Sequence, residues 1–411
     1  MNNKFASNER IVERAAEIAA SVLAPQAEEV DREARWPAHS FSALADAGLM
    51  GLLVPRDCGG LGGGFELLAM VTETLAQACS SSAICYAMHC VGSKVLASKA
   101  TDYQRETFLI PIAEGKHITT LALSEPGTGA HFYLPQVTFR LHSANDSFLI
   151  NGTKSFVTNG GYADSLVISS VAEGREFDPG TFSCLVVDGK SQALQWSPPW
   201  DGFGMRGNSS RNVEMRDFAV PTTALLGAEG DENWYLFEII APFFLVAMAA
   251  TYSGVMRAAI DAAIEHLRGR HYTHTRKSVG AEPIVTHRLG EIFIRSESAR
   301  QFVFHAARSA DAGTADARAA ILSSKALVAD TAVAVTNEVL TLIGGKGYAA
   351  NHRAARLLRD ARASHVMAPT TDLLKNWLGR TLLDMPCCER QALAGAGAVT
   401  AFHDLHGYKN R

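Results

Sequence analysis

A β-rich segment lies between two long helical regions, and this order limits the fold more than any other feature of the chain. In residues 9–118, apolar side chains such as Ile11, Ala15 and Ile18 recur at helical spacing. From about residue 119 the period shortens, because Val137 and Phe139 alternate with polar residues. Helical spacing returns at 235–268, 285–312, 315–343 and 371–383. The pattern predicts an α+β fold with an N-terminal helical domain (1–118), a middle β domain (119–228) and a C-terminal helical bundle (229–411).

Short runs of β-forming residues divide the middle domain into predicted strands. The run at 148–150 ends at Asn151-Gly152, a dipeptide typical of the tight turn of a hairpin. Further runs follow at 166–171, 182–187 and 213–220. We therefore predict a hairpin turn at Asn151-Gly152 within a compact β domain.

Composition excludes several classes of protein. The chain has 411 residues, of which 47% are hydrophobic and 19% charged, so it can bury a large core and is not a disordered protein. Its formal net charge of −4 argues against a nucleic-acid binder. The seven cysteines form no CxxC pair and their number is odd, which favours reduced thiols in a cytoplasmic protein. We assign no metal site.

The segment 239–256 carries no charged residue and approaches the length of a membrane-spanning helix. It contains Pro242 and Gly254, however, and continues into an amphipathic stretch. We predict a helix buried at the centre of the bundle, with membrane insertion as the lesser alternative.

Three segments of the β domain carry possible binding chemistry. They are residues 121–130 (LALSEPGTGA), 151–164 (NGTKSFVTNGGYAD) and 204–221 (GMRGNSSRNVEMRDFAVP). Short side chains and glycines let backbone N–H groups approach a ligand closely. Each segment alone also fits an ordinary turn or hairpin.

Two further segments lie in the C-terminal region. One holds Tyr272, Arg276 and Gly280; the other comprises 343–348 (IGGKGY) and the RDAR sequence at 359–362. The five segments, in this order, resemble those of the acyl-CoA dehydrogenase family, over residues 9–385. The resemblance implies a barrel-like middle domain, a C-terminal four-helix bundle, bound FAD and a homo-oligomer, either a dimer or a tetramer.

The resemblance also assigns roles to single residues. Leu123 and Ser124 occupy positions that contact the flavin pyrimidine edge, Phe156 the aromatic position that packs on the flavin, and Thr158 the hydroxyl position near its reactive nitrogen. Arg206 and Ser210 fit either cofactor contact or support of their loop.

Three more positions are implied to serve the cofactor of a neighbouring subunit. Arg276 corresponds to an arginine that holds the FAD pyrophosphate, a task suited to a guanidinium fork. Gly344 and Gly345 correspond to glycines that lie against FAD across the interface. This chain departs from the pattern at Val279, where the family has an aromatic residue.

The family's catalytic base is missing from its usual positions. Removal of an α-proton from an acyl thioester requires a carboxylate close to the α-carbon. The family glutamate after RDAR falls on Ala368, and the alternative position in the central helix falls on Phe244. Both positions are therefore apolar in this chain.

Four residues are considered as substitutes for that base. Asp372 follows Pro369 and also suits the first turn of a helix, where a carboxylate interacts with the helix dipole. His131 follows the segment at 121–130, and histidine is a common general base in enzymes. His365 and Glu238 are weaker candidates, the first as a structural helix residue and the second as too distant along its helix.

Three functions remain open. The first is an FAD-dependent dehydrogenase of acyl-CoA or of a carrier-bound acyl thioester, passing electrons to an acceptor such as an electron-transfer flavoprotein. The second is a flavin monooxygenase on the same fold, supplied by a flavin reductase. The third is a non-catalytic FAD-binding homologue. The retained LSEPGTG, TKSFVTN and GGKGY sequences favour the dehydrogenase.

Overall fold

The N-terminal part of the chain is helical. The computed structural model describes residues 2–142, 145–175, 182–231 and 234–385. The helices are α1 (Asn2–Ile18), α2 (Ala24–Arg32), α3 (Ala38–Asp46), α4 (Phe65–Ala78), α5 (Ser80–Ser98), α6 (Asp102–Gln104) and α7 (Ile110–Ala113). Turns of π-helix at Ala19–Leu23 and Arg105–Leu109 join α1 to α2 and α6 to α7. Helix α5 is buried along most of its length and forms the centre of this domain.

In the part of the chain that the structure describes, the middle domain is one mixed sheet of eight strands. They are β1 (Thr119–Ala122), β2 (Thr138–His142), β3 (Ser147–Val157), β4 (Ser165–Ala172), β5 (Phe182–Asp188), β6 (Gln195–Trp196), β7 (Arg211–Pro221) and β8 (Leu225–Leu226). The order is β6-β7-β3-β2-β4-β5-β8, and β1 pairs in parallel with β4. Among the described residues the sheet does not close into a barrel, because β6 and β8 remain its edges.

The predicted turn at Asn151-Gly152 is wrong, since β3 continues through both residues. The pairing of β3 with β7 shifts between Ile150 and Gly152, which marks a β-bulge. Gly152 has φ +133°, and a Cβ there would lie 2.8 Å from a methyl carbon of Val137. The Asn151 side chain accepts a hydrogen bond from the backbone N–H of Asp217 on β7 (2.8 Å). The turn-forming residues of β3 thus lie opposite a bulge in β7 instead of forming a hairpin.

The C-terminal region is a helical bundle around one long apolar helix. A π-helical turn at Tyr235–Ile240 leads into α8 (Ala241–Gly269), followed by α9 (Pro283–Ala312), α10 (Ala317–Ile343), α11 (Arg353–Val366) and α12 (Thr371–Leu382). Among the described residues, two helical stretches, Tyr235–Gly269 and Ala317–Lys346, are long and apolar enough to span a membrane. In the first stretch, 94% of the most apolar 18-residue segment is buried inside the protein, as expected for a core helix.

A buried histidine joins α5 to the sheet. His89 is fully buried; its Nε2 lies 3.0 Å from the Met50 carbonyl oxygen, and its Nδ1 accepts a hydrogen bond from the Thr119 N–H (3.2 Å). This arrangement requires a neutral ring with the proton on Nε2. Burial lowers the pKa of His89 from 6.5 to about 4.

We expect the free energy of unfolding to fall as the pH drops from 6.5 to 4. In this range the unfolded chain binds a proton at His89 that the folded chain does not, and the loss reaches about 3 kcal/mol. Urea unfolding of wild type and His89→Gln across this range measures it. The variant should show a shallower pH dependence. The exposed control His287→Gln should keep the wild-type slope, and a wild-type slope in His89→Gln would contradict the assignment.

Candidate functional site

A cavity of about 630 Å³ lies where the three domains meet. Each domain contributes to its wall: Met88 from α5, Leu123 and Ser210 from the β domain, and Phe244 and Ala368 from the C-terminal bundle. Most of the wall is apolar, with a few hydroxyl and charged groups, which is typical of a small-molecule or cofactor site. The position of the cavity at a domain junction makes it the candidate active site.

A buried ion pair fixes the first binding segment against the sheet. Lys154 Nζ lies 2.5 Å from Glu125 Oε1, and both side chains are almost completely buried. The Glu125 carboxylate also accepts hydrogen bonds from the backbone N–H groups of Gln136 (2.6 Å) and Val137 (3.2 Å). Lys154 further donates to Ser169 Oγ (2.9 Å). Burial lowers the pKa of Lys154, and the attraction of Glu125 opposes this effect. The loop from 123 to 137 is therefore held at both ends.

The end of β3 presents Phe156 and Thr158 to the cavity. Phe156 has a left-handed backbone (φ +53°), and 65% of it is exposed, although it is a large apolar residue. Its ring meets Trp200 edge-to-face, with 6.3 Å between ring centroids. Thr158 is buried, and its hydroxyl lies 3.4 Å from that of Ser210. A strained backbone that exposes an aromatic ring at a cavity is a frequent property of ligand sites.

Asn159 anchors this turn to the N-terminal domain. Its side-chain oxygen accepts a hydrogen bond from Trp36 Nε1 (2.9 Å), and its amide nitrogen donates to the Cys85 carbonyl (2.9 Å). Like Phe156 it has positive φ, +64°. The network explains how the strained turn persists: its polar groups are satisfied by two other elements.

The two candidate residues of the segment at 204–221 have different roles. Ser210 lies in the cavity wall. Arg206 is outside it and donates to the Asp31 carbonyl oxygen (2.8 Å), the Gly202 carbonyl oxygen (3.0 Å) and the Asp201 carboxylate (2.7 Å). Arg206 thus supports the loop that Ser210 belongs to.

Helix α11 closes the junction through two charged residues. Arg359 forms an ion pair with Asp31 and donates to the Phe203 carbonyl oxygen (3.0 Å). Asp360 is fully buried; it accepts hydrogen bonds from the Ser80 hydroxyl and from the backbone N–H of Met205 (2.6 Å). Burial raises the pKa of Asp360. These contacts join α11 to the N-terminal and β domains beside the cavity.

Both expected base positions lie in the wall and both are apolar there. Phe244 is on α8, and Ala368 is in the turn between α11 and α12. Among the described residues that line the cavity, the charged ones are Glu125, Arg359 and Arg362. Glu125 is the carboxylate among these wall residues, and it forms an ion pair with Lys154. The described part of the wall therefore offers no carboxylate outside this pair to accept a proton.

The four substitute candidates all lie outside this wall. His131 is exposed, with Nδ1 2.6 Å from the Tyr133 hydroxyl. Asp372 is exposed in the first turn of α12. His365 Nε2 lies 3.0 Å from the Ala329 carbonyl oxygen. Glu238 is half-buried near Arg318, and burial raises its pKa. A catalytic role for any of them would require movement towards the cavity.

The residues assigned to a neighbouring subunit's cofactor also lie outside the cavity of the single chain. Arg276 and Gly345 are exposed, and Gly344 is partly exposed. Arg276 and Gly344 have positive φ values, +58° and +71°. Their role therefore remains a prediction.

Some wall residues carried no sequence signal. Trp200 and Phe203 lie in the loop before β7, and Met88 lies on α5, each without a motif around it. Lys154 belongs to the TKSF sequence, but its pairing with Glu125 joins residues 29 positions apart. Such contacts follow from the folded chain and not from local spacing.

We expect removal of one partner of the Glu125–Lys154 pair to be strongly destabilising. Glu125→Gln or Lys154→Met leaves an unpaired buried charge, which costs about 3–5 kcal/mol, and the double variant should lose less than the sum of the two. Urea denaturation measures all three. Glu214→Gln, which removes the exposed Arg216 pair, is the control and should change little. Additive losses in the double variant would contradict the coupling.

Comparison with known proteins places the chain among flavoenzymes of one fold. It is 28% identical over 390 residues to the probable acyl-CoA dehydrogenase YngJ of Bacillus subtilis, covering 93% of this chain and 100% of the relative. It is also 28% identical to acryloyl-CoA reductase (NADH) of Anaerotignum propionicum, covering 88% of this chain and 90% of the relative.

Solved structures share the fold. Butyryl-CoA dehydrogenase of Megasphaera elsdenii superimposes with a TM-score of 0.85 at 23% identity, over 92% of this chain and 98% of that one. PigA, solved with FAD and proline, gives a TM-score of 0.84 at 21% identity, over 92% and 97%. Residues 6–116 match the acyl-CoA dehydrogenase N-terminal domain, 120–218 its middle domain and 246–383 its C-terminal domain. The chain belongs to the acyl-CoA dehydrogenase family.

Proposed function

We propose that this protein is an FAD-dependent dehydrogenase of acyl thioesters, carried by CoA or by an acyl carrier protein, with an atypical active site. The observation that carries the proposal is the cavity at the three-domain junction, where Leu123, Ser124, Phe156 and Thr158 share one wall. These are the residues that the family resemblance assigns to the flavin. The chain also belongs to a family whose named members are oxidoreductases that act on CH–CH bonds, which supports the same type of reaction.

The residues present fit a flavin ring. An isoalloxazine has apolar faces and a polar edge, so it needs an apolar slot with a few fixed hydrogen-bonding groups. The hydroxyls of Ser124, Thr158 and Ser210 lie in the wall of the cavity, together with the apolar side chains of Val366 and Met367. Phe156 stands at the same cavity with most of its surface uncovered. A flat ligand would cover it.

When bound, FAD supplies the acceptor for a hydride from the β-carbon of the substrate. Phe156 would pack on the ring, and the Thr158 and Ser124 hydroxyls would orient it by hydrogen bonds. Met88, Phe132, Ile240 and Phe244 give the acyl group an apolar, water-poor channel. Arg276, Gly344 and Gly345 complete the cofactor site of a neighbouring subunit, so the working form is a homo-oligomer.

The proton acceptor at the α-carbon is the atypical feature. Ala368 and Phe244 bring no carboxylate to the wall. The base is therefore relocated or supplied by the substrate. His131 and Asp372 remain the proposed substitutes, because each is close in the chain to a residue of the wall, Ala130 and Thr370 respectively. Electrons leave to an acceptor such as an electron-transfer flavoprotein in the cytoplasm.

A second candidate function is a flavin monooxygenase. The observation that favours it is the apolar side chain at both base positions, because oxygen activation at reduced flavin needs no base for an α-proton. Such an enzyme would depend on a flavin reductase. A non-catalytic FAD-binding protein is the third candidate.

We expect acyl-CoA thioesters to bleach the oxidised flavin absorbance anaerobically, and Ala368→Glu to accelerate the bleaching, since a carboxylate then lies in the wall. Ala363→Glu is the matched control, because it adds a carboxylate to the same wall at another position. Stopped-flow absorbance with thioesters of several chain lengths measures both. No bleaching in either protein, with substrate hydroxylation after chemical reduction and admission of air, would instead establish the monooxygenase.

We expect Arg276→Ala to lower the amount of FAD that co-purifies, since a charge-assisted pair to the pyrophosphate would be lost. The matched control is Lys277→Ala, which removes the adjacent exposed cation. The flavin-to-protein absorbance ratio of the purified proteins gives the result. Equal flavin content in Arg276→Ala and wild type would remove Arg276 from the site.

A further inference from the structure

A buried lysine lies behind the wall of the cavity and takes no part in the proposed reaction. Lys325, on α10, is 1% exposed. Its ammonium donates to the carbonyl oxygens of Ser364 (2.7 Å), Pro369 (3.0 Å) and Met367 (3.5 Å). An ammonium has three N–H donors, so these contacts use all of them.

The three carbonyls belong to one short segment. Ser364 is in the last turn of α11, where helix carbonyls lack partners within the helix and carry partial negative charge. Met367 and Pro369 lie in the turn that follows, before α12 begins at Thr371. A cation from another helix therefore closes the end of α11 and shapes the turn.

This turn forms the cavity wall at the position of the missing base. Met367, Ala368 and Thr370 all line the cavity. The Met367 side chain is also fixed from behind, because its sulfur lies 2.9 Å from the hydroxyl of the buried Tyr252. The backbone around residue 368 is thus held by Lys325, and the neighbouring Met367 side chain by Tyr252.

The nearby charges do not provide an alternative partner for Lys325. The closest acid on its own helix, Asp330, pairs with Lys375 of α12 (2.8 Å) and lies 3.5 Å from His365 of α11. Burial lowers the pKa of Lys325 to about 8, and Asp330 opposes this shift from a distance. Desolvation of an ammonium is unfavourable, and the carbonyl contacts are what compensate for it here.

We propose that Lys325 is a positioning residue, whose ammonium holds the turn 364–369 and thereby sets where residue 368 faces the substrate. Its catalytic consequence rests on the proposed function. The position of the turn itself does not, so hydrogen exchange without FAD or thioester tests the inference separately.

The experiment compares amide hydrogen exchange of wild type, Lys325→Met, Lys325→Arg and Lys375→Met by mass spectrometry. In Lys325→Met, peptides covering 364–371 should exchange about tenfold faster, while those from the buried part of α8 stay unchanged. Lys325→Arg keeps a cation with several donors and should restore wild-type exchange to within about twofold. Lys375→Met is the matched control, since it removes a lysine from the same neighbourhood without touching the turn.

Several outcomes would overturn the inference. Unchanged exchange at 364–371 in Lys325→Met would show that other contacts hold the turn. Equal acceleration in α8 would show a general loss of stability, and failure of Lys325→Arg to restore protection would show that lysine packing and not the cation matters. If Lys325→Met does not fold, amide hydrogen exchange of the wild-type protein provides the test. Exchange at 366–368 close to the rate of an unfolded chain would contradict the inference, and slow exchange would support it.

Discussion

The buried ion pair between Glu125 and Lys154 is the interaction on which the site depends. Two charges removed from water are stable only when their geometry and hydrogen bonds are complete. Here the carboxylate binds one ammonium and two backbone N–H groups, and the ammonium also binds Ser169. Because these partners come from β3, β4 and the two ends of one loop, the pair fixes the wall of the cavity relative to the sheet.

Buried polar side chains with complete hydrogen bonding also occur at the boundaries between domains. Asp360 binds Ser80 and Met205, and Asn159 binds Trp36 and Cys85. In each case a polar side chain is buried at a boundary and satisfied by a different domain. Such contacts are directional, whereas apolar packing is not, so they define how the domains meet. Contacts within the chain consequently fix the walls of the cavity.

Periodicity and motifs predicted much of this architecture. The alternation of helical and β patterns predicted the order of elements, and helices α8, α9, α10 and α12 lie within a few residues of their expected bounds. Helix α11 is not among the helical segments that periodicity predicts. The motif at 151–164 led to Phe156 and Thr158, both in the wall. Counting from RDAR led to Ala368, which also lines the cavity. Local patterns succeed here because each residue's position depends on its own short segment.

The remainder depends on contacts between distant segments. Asn151-Gly152 has the composition of a tight turn, but in the sheet it continues β3 opposite a bulge in β7. Nothing local predicts that Lys325 meets the carbonyls around Met367, or that Trp200 reaches Phe156. Arg276 and the glycines at 344–345 lie away from the cavity of one chain, so the role proposed for them requires a second copy. The spacing of residues in a single sequence thus gives no information about contacts between distant segments or between chains.

Titration of the apoprotein with FAD shows whether the cavity beside Phe156 is the flavin site. We expect one FAD to bind per chain, with a shifted visible absorbance spectrum. Binding should be weaker in Phe156→Ala and unchanged in Leu141→Ala, which removes an exposed apolar side chain from β2 outside the cavity. Absence of FAD binding, or equal affinity in Phe156→Ala and wild type, would show that the flavin does not bind beside Phe156.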